Sequence, residues 1–153
     1  AGCAQDHYLG FPWSIRRGMG AWKRLYLDVQ RVVASEAASD SLIARGRVLV
    51  EGAGLCGECH TPRFLIGGLR AGRWLAGAPN PDGKGRVPNI TPSDGGLADW
   101  SASDIEYYLE SGFTPDFDTA GGTMVAVQEN MAKLSDEDRK AIAAYLKSVP
   151  AVE

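Results

Sequence analysis

The chain has 153 residues, of which 44% are hydrophobic and 23% are charged. This length and composition suit one ordinary domain with a hydrophobic core and a solvated surface. The formal net charge of −3 argues against nucleic acid as a partner, and no apolar run is long enough to predict a membrane-spanning helix.

The N-terminal segment, residues 1–40, differs in composition from the rest of the chain. Aromatic and basic side chains alternate between Phe11 and Leu27. We expect only a short helical turn around Trp22, because two glycines precede it. Tryptophans need a surface to cover them, so this segment is predicted to be an extension that packs on the adjoining domain or on a partner chain. The domain itself is predicted over residues 41–153.

Three predicted helices of the domain share the same signals: a Ser or Asp that can cap the first turn, an apolar stripe, and a Gly or Pro at the end. They begin at Asp40 or Ser41, at Ser101 or Ser103, and at Ser135, which with Asp138 resembles a capping box. Residues 62–99 are rich in Gly, Pro, Asn and Asp and predict a long ordered loop. A loop of that length needs a large object such as a cofactor to wrap around.

One short motif, Cys56-Gly57-Glu58-Cys59-His60, carries the chemistry. Two thiols three positions apart on a helical turn can form thioethers with the vinyl groups of a haem, and the imidazole of the next residue can bind the iron. A redox dithiol would need an α/β pattern that is missing, and a zinc site would need four ligands, for which only Cys3 and His7 remain. The motif therefore favours one covalent haem c held by Cys56, Cys59 and His60.

An electron-transfer haem needs a second axial ligand, and thioether sulfur raises the reduction potential relative to a second imidazole. Met124 comes shortly after two glycines, in a flexible approach between two predicted helices, so it can reach over the open haem face. Met131 is the second candidate, although it suits the core equally well. His7 and Met19 are more distant candidates. We expect His60 and Met124 to be the metal ligands.

The stretch from Arg45 to Val149 resembles a class I cytochrome c domain. Gly46 on the first helix and Tyr145 on the last are similar to the residues at which that family's terminal helices cross, where the glycine lets an aromatic side chain approach. The resemblance implies an all-α fold with crossed N- and C-terminal helices and long loops around one haem.

The same resemblance implies contacts around the cofactor. The run Pro88-Asn89-Ile90-Thr91 resembles the family's segment beside the haem propionates, and Trp100 resembles the tryptophan that donates a hydrogen bond to one of them. The expected propionate contacts are thus Arg63, Asn89, Thr91 and Trp100. A backbone carbonyl near Pro62 is expected to accept the ring proton of His60.

A closer resemblance is to the cytochrome subunits of bacterial periplasmic dehydrogenases, on the run from Gly57 to Arg63 and the segment from Pro12 to Leu27. It implies a single-electron carrier rather than an enzyme, located in the bacterial periplasm as a subunit or partner of a redox complex. The expected partner is a redox protein: a dehydrogenase, an oxidase or another cytochrome. The alternative function is a haem enzyme or ligand sensor with a displaceable distal methionine.

The first three residues, Ala1-Gly2-Cys3, resemble the end of a bacterial lipoprotein signal. A lipid on Cys3 would tether the protein to a membrane. A free thiol or a bond from Cys3 to a partner chain are the alternatives.

Overall fold

The computed structural model describes residue 11 and residues 16–26, 40–80, 83 and 85–153. The chain divides into two compact units, residues 1–30 and residues 31–153. The first unit contains helix α1 (Arg16–Tyr26). The second unit begins with α2 (Ser41–Arg47), its π-helical continuation (Val48–Ala53), α3 (Cys56–His60) and a 3₁₀ turn (Ala71–Arg73). Strands β1 (Ala78–Pro79) and β2 (Arg86–Val87) follow, and then helices α4 (Ala102–Ser111), α5 (Met124–Met131) and α6 (Asp136–Ser148). The two strands form one antiparallel pair. The prediction of an all-α fold is confirmed.

Helix α1 is longer than the turn that the sequence predicts, because it includes both glycines that precede Trp22. Its last turn brings Trp22 and Tyr26 together, with ring centroids 5.7 Å apart. Aromatic side chains four residues apart lie on the same helix face and stabilise it. None of the described helices has the length and apolar character needed to cross a bilayer.

The predicted start signals of α2 and α4 are confirmed. The backbone N–H of Leu42 donates to Asp40 Oδ1 at 2.8 Å, so Asp40 caps α2. Ser101 caps α4 by accepting from the N–H of Asp104, whose carboxylate accepts in turn from the backbone N–H of Ser101. This reciprocal pair satisfies two of the N–H groups that a helix leaves unpaired at its start.

The capping box predicted at α6 is only half formed. Ser135 Oγ accepts from the N–H of Asp138 at 3.2 Å. The Asp138 carboxylate turns instead to Arg45 on α2, accepting from Nε at 2.7 Å and from Nη2 at 3.0 Å. The second half of the expected local motif is therefore replaced by a contact between the two crossing helices.

The crossing of α2 and α6 is as close as the sequence predicts. A Cβ atom on Gly46 would lie 2.8 Å from Tyr145 Cβ and nearer still to the backbone carbonyl of Ala141, so glycine alone fits there. Tyr145 is completely buried, and its hydroxyl donates to Glu51 Oε1 at 2.7 Å. Around this crossing lies the core cluster, formed by Leu49, Val50, Leu75, Leu97, Ile105, Leu109, Ala141, Ile142, Ala143, Tyr145, Leu146 and Val149.

Helix α5 occupies the region for which the sequence predicts a flexible approach. No side chain caps its start at Thr123. Its buried residue is Gln128, whose Nε2 donates to the backbone carbonyls of Leu109 at 3.2 Å and Glu110 at 3.0 Å. A contact with the end of α4 therefore stabilises a helix that has no local start signal.

Candidate haem-binding site

The Cys motif forms the short helix α3. Leu55 adopts a left-handed conformation, φ 48°, which turns the chain out of the preceding π-helical segment and into α3. Cys56 and Cys59 are three positions apart, a spacing that places them on one side of a helix. Cys59 is exposed and Cys56 half-buried, and burial raises the pKa of Cys56 to about 11.

His60 ends α3 as a buried residue. Its Nδ1 lies 2.8 Å from the carbonyl oxygen of Pro88, and because a carbonyl only accepts, the ring proton belongs on Nδ1. Nε2 then keeps its lone pair, which is the arrangement of a metal-ligating histidine. Burial lowers the pKa of His60, which favours the neutral ring.

The expected acceptor near Pro62 was wrong. The Pro62 carbonyl accepts from the N–H of Arg70 at 2.9 Å instead. The long loop folds back across α3, with the N–H of Gly77 donating to the His60 carbonyl at 2.8 Å. This return brings the carbonyl of Pro88, 28 residues along the chain, to the imidazole of His60.

Trp74 packs directly on α3, a contact that was not predicted from the sequence. A Cβ atom on Gly57 would lie 3.0 Å from Trp74 Cζ2 and closer still to two neighbouring ring carbons. The indole also packs against the core cluster, and its buried Nε1 has no hydrogen-bond partner among the described residues. The glycine between the two cysteines, together with a tryptophan in the next loop, is the only sequence signal for this contact.

The methionines differ in their surroundings. Met131 packs against the core cluster, as a core-filling side chain does. Met124 is the half-buried first residue of α5 and is not among the side chains packed on that cluster. Met19 belongs to α1 in the other unit, and His7 lies outside the described residues.

Arg63 is bonded to the haem-attachment helix and to its own loop. Its Nη2 forms an ion pair with the carboxylate of Glu58 in α3, and its Nη1 donates to the Gly67 carbonyl at 2.7 Å. The guanidinium thereby ties the loop after α3 to α3 itself.

Asn89 and Thr91 form a network with the C-terminal segment. Asn89 Nδ2 donates to Ser93 Oγ at 2.9 Å and to the Val152 carbonyl at 2.7 Å, and Asn89 Oδ1 accepts from both the N–H and the hydroxyl of Thr91 at 2.8 Å. An amide offers two donor hydrogens and two acceptor lone pairs. Every donor and acceptor position of the Asn89 side-chain amide is therefore paired within the protein.

The indole N–H of Trp100 is a hydrogen-bond donor without an acceptor among the described residues. It is half-buried, with its ring edge-on to Tyr108 at 5.7 Å, and its indole N–H makes no hydrogen bond to any residue that the structure describes. Its backbone is held by Lys147, whose ammonium donates to the carbonyls of Leu97 and Trp100, each at 2.9 Å, and of Ala98 at 3.3 Å.

Exposed apolar side chains lie next to both predicted axial ligands along the chain. Near the motif they are Leu55, Phe64, Leu65 and Ile66, and beside Met124 they are Val125 and Val127. A run of exposed apolar side chains along the chain indicates a surface that another group covers. Together with two thiols, an imidazole with a free Nε2 and a thioether, these residues suit a porphyrin ring.

An all-α domain with crossed terminal helices, and with a thiol pair and a buried imidazole on one helical turn, defines a c-type haem-binding protein. The cytochrome c family model matches residues 43–150 of this chain. The chain therefore belongs to the cytochrome c family, which implies covalent haem c and electron transfer rather than catalysis.

The chain is similar to larger bacterial cytochromes. It is 54% identical over 149 residues to a diheme cytochrome c-type protein of Cereibacter sphaeroides, covering 97% of this chain and 49% of the relative. It is 39% identical over 145 residues to the fructose dehydrogenase cytochrome subunit of Gluconobacter japonicus, covering 94% and 29%. With the gluconate 2-dehydrogenase cytochrome c subunit of Pantoea cypripedii the identity is 32% over 154 residues, covering 96% and 35%. The chain thus spans half or less of the length of these relatives.

Proposed function

We propose that these 153 residues carry single electrons through one haem c, attached to Cys56 and Cys59 and ligated by His60 and Met124. The observation that carries the proposal is the buried His60, whose Nδ1 is bonded to the Pro88 carbonyl and whose Nε2 is left available for iron. When bound, haem supplies a reversible one-electron couple.

The residues of the chain hold and tune that couple. Met124 sulfur favours a higher reduction potential than a second imidazole would. Of the four expected propionate contacts, Trp100 is the one best supplied to donate, because its indole N–H has no acceptor among the described residues. Arg63 steadies α3 through Glu58. Asn89 acts through the loop rather than on a propionate, since its amide is fully bonded.

Thr91 shares the role of Asn89. It is completely buried, and its hydroxyl both donates to Asn89 Oδ1 and accepts from the N–H of Val152 at 3.2 Å. Its contribution is to hold the loop of Pro88, and hence the acceptor of the His60 proton, against the C-terminal segment.

We further propose that the partner is a redox protein, most directly a bacterial dehydrogenase in the periplasm. The names of the similar proteins support this, since two of them are cytochrome subunits of dehydrogenases. Helix α1 supports a role of residues 1–40 in contacting that partner: it contains four basic residues and no acidic one, and Leu25 on it is 74% exposed. A lipid on Cys3, which lies outside the described residues, is the corresponding proposal for membrane attachment.

The haem count and its attachment are tested by expressing the chain with a cytochrome c maturation system. We expect one haem per chain by intact mass, retained on a denaturing gel. Cys59→Ala should leave a single thioether, which shifts the absorption of the reduced pyridine complex towards that of protohaem. A colourless wild-type chain, or a mass showing no covalent haem, would contradict the proposal. Intact mass of the natively purified protein also reveals whether Cys3 carries a lipid.

A further inference from the structure

We infer that Gln128 is a positioning residue for Met124: it fixes helix α5 to the end of α4 and so holds the thioether of Met124 over the iron. This inference rests on the proposed function, since it requires Met124 to be the distal ligand. The contact lies between α4 and α5, and the Cys motif in α3 takes no part in it.

Gln128 joins α5 to α4 through a pair of hydrogen bonds. Its buried amide Nε2 donates to the carbonyls of Leu109 and Glu110, at 3.2 Å and 3.0 Å. Both carbonyls lie in the last turn of α4, where a helix has no N–H groups of its own left to pair with them. A side chain of α5 therefore pairs two carbonyls that α4 leaves open at its end.

The side-chain amide of Gln128 fits closely against the end of α4. Gly112 ends α4 with φ 81°, and a Cβ atom there would lie 3.2 Å from both Gln128 Cδ and Oε1. The Gly112 carbonyl accepts from the N–H of Ala120 at 2.8 Å, so the chain that leads to α5 is bonded to the same corner. The amide is thus enclosed where α4 ends.

The register along α5 relates Met124 to Gln128. Met124, Gln128 and Met131 stand at positions i, i+4 and i+7, which lie on one helix face. Met131 packs against the core cluster and Gln128 is hydrogen-bonded to α4, so the second and third of these positions on α5 are held in place. Before Met124, a Cβ atom on Gly121 or Gly122 would have no neighbour within 4 Å. The position of Met124 is therefore determined by the residues that follow it in α5, Gln128 and Met131.

The consequence is a competition that can be measured. If the hydrogen bonds of Gln128 to α4 are lost, the population in which Met124 is dissociated from the iron increases. An added ligand that binds the vacated position then binds more tightly, in proportion to that population.

The test measures the affinity of the ferric haem-loaded protein for imidazole. Gln128→Leu keeps the bulk of the side chain and removes both donors, and its dissociation constant for imidazole should fall about tenfold. The matched control is Asn130→Ala on the same helix, because Asn130 is exposed and its amide contacts near neighbours along the chain, donating to the Ala126 carbonyl and accepting from Lys133 Nζ. That control should stay within about twofold of the wild type.

The outcomes separate this inference from the proposed function. If wild-type ferric protein lacks the sulfur-to-iron charge-transfer band, Met124 ligation fails, and this inference fails with it. If the band is present but Gln128→Leu binds imidazole as the wild type does, the inference alone is overturned; an equal effect of Asn130→Ala overturns it as well. Should Gln128→Leu not take up haem, Gln128→Asn, which is one methylene too short for both carbonyls, decides by the same measurement.

Discussion

Replacement of Gly57 by alanine should destabilise the protein, although glycine is normally the poorer residue in a helix. The added methyl group would stand between Cys56 and Cys59, on the side of α3 that faces Trp74. Its carbon would lie 3.0 Å from Trp74 Cζ2 and closer to two other ring carbons. The indole is rigid and packs on the core cluster, so it cannot turn aside without disturbing the core.

The magnitude is set by two opposing contributions. Carbon atoms that are not bonded to each other approach to about 3.5 Å, so the ring would have to retreat by about 1–1.5 Å. Overpacking of this kind costs about 1–3 kcal/mol, and more where the neighbours cannot move. The better helix propensity of alanine returns up to about 1 kcal/mol. We therefore expect Gly57→Ala to lower the free energy of unfolding by about 2 kcal/mol.

Urea unfolding of the haem-loaded protein, monitored by far-ultraviolet circular dichroism, measures this loss. Gly52→Ala is the matched control, since its Cβ would meet no atom within 4 Å, and it should leave the stability unchanged or slightly higher. A double variant with Trp74→Leu should lose less than the sum of the two single losses, because the smaller side chain makes room. If Gly57→Ala is as stable as Gly52→Ala, the packing of Trp74 on α3 is not as described.

Three further predictions concern the scaffold. Gly46→Ala should cost about 3 kcal/mol or more in thermal unfolding, because its Cβ would press on the backbone of Ala141; a smaller loss would mean that the helix crossing can open. Ser101→Ala should cost about 1 kcal/mol in urea unfolding through loss of the cap on α4, and no loss would refute the capping role. Arg45 holds the pKa of Asp138 below its usual value, so the stability that Asp138 adds over Asp138→Asn should be present near neutral pH. It should disappear as the pH falls through the lowered pKa, and unfolding curves at both ends of that range that show a constant difference would contradict this.

The parts of the fold that local chemistry determines were predictable. A capping residue acts within three positions of the N–H it accepts, so Asp40 and Ser101 could be recognised from their neighbours alone. Gly46 could be recognised from the family resemblance, and the structure shows the close helix approach that requires it.

The parts that depend on distant contacts were not. Helix α5 has no side-chain cap and is held by the amide of Gln128 on α4, a contact that no local pattern reveals. The acceptor of the His60 proton is 28 residues away because the long loop returns across α3, so the acceptor near Pro62 that the family resemblance implied was wrong. Trp74 was missed for the same reason: it meets Gly57 only once that loop is folded.

The four expected propionate contacts were named by the resemblance, and the structure distinguishes them by their hydrogen bonds. The resemblance marks Arg63, Asn89, Thr91 and Trp100 alike, whereas their bonding differs. Asn89 has no donor left over, but the indole of Trp100 does. Counting donors and acceptors therefore separates residues whose side chains are bonded within the protein from a residue that has a donor left for a ligand.

The identity of the distal ligand is tested most directly by the sulfur-to-iron charge-transfer band of the ferric protein, measured in the wild type and in two single variants. The band should be present in the wild type and in Met131→Leu, because Met131 packs against the core cluster, and absent in Met124→Leu. A band that survives Met124→Leu, or that is missing from the wild type, would contradict the assignment of His60 and Met124 as the axial pair.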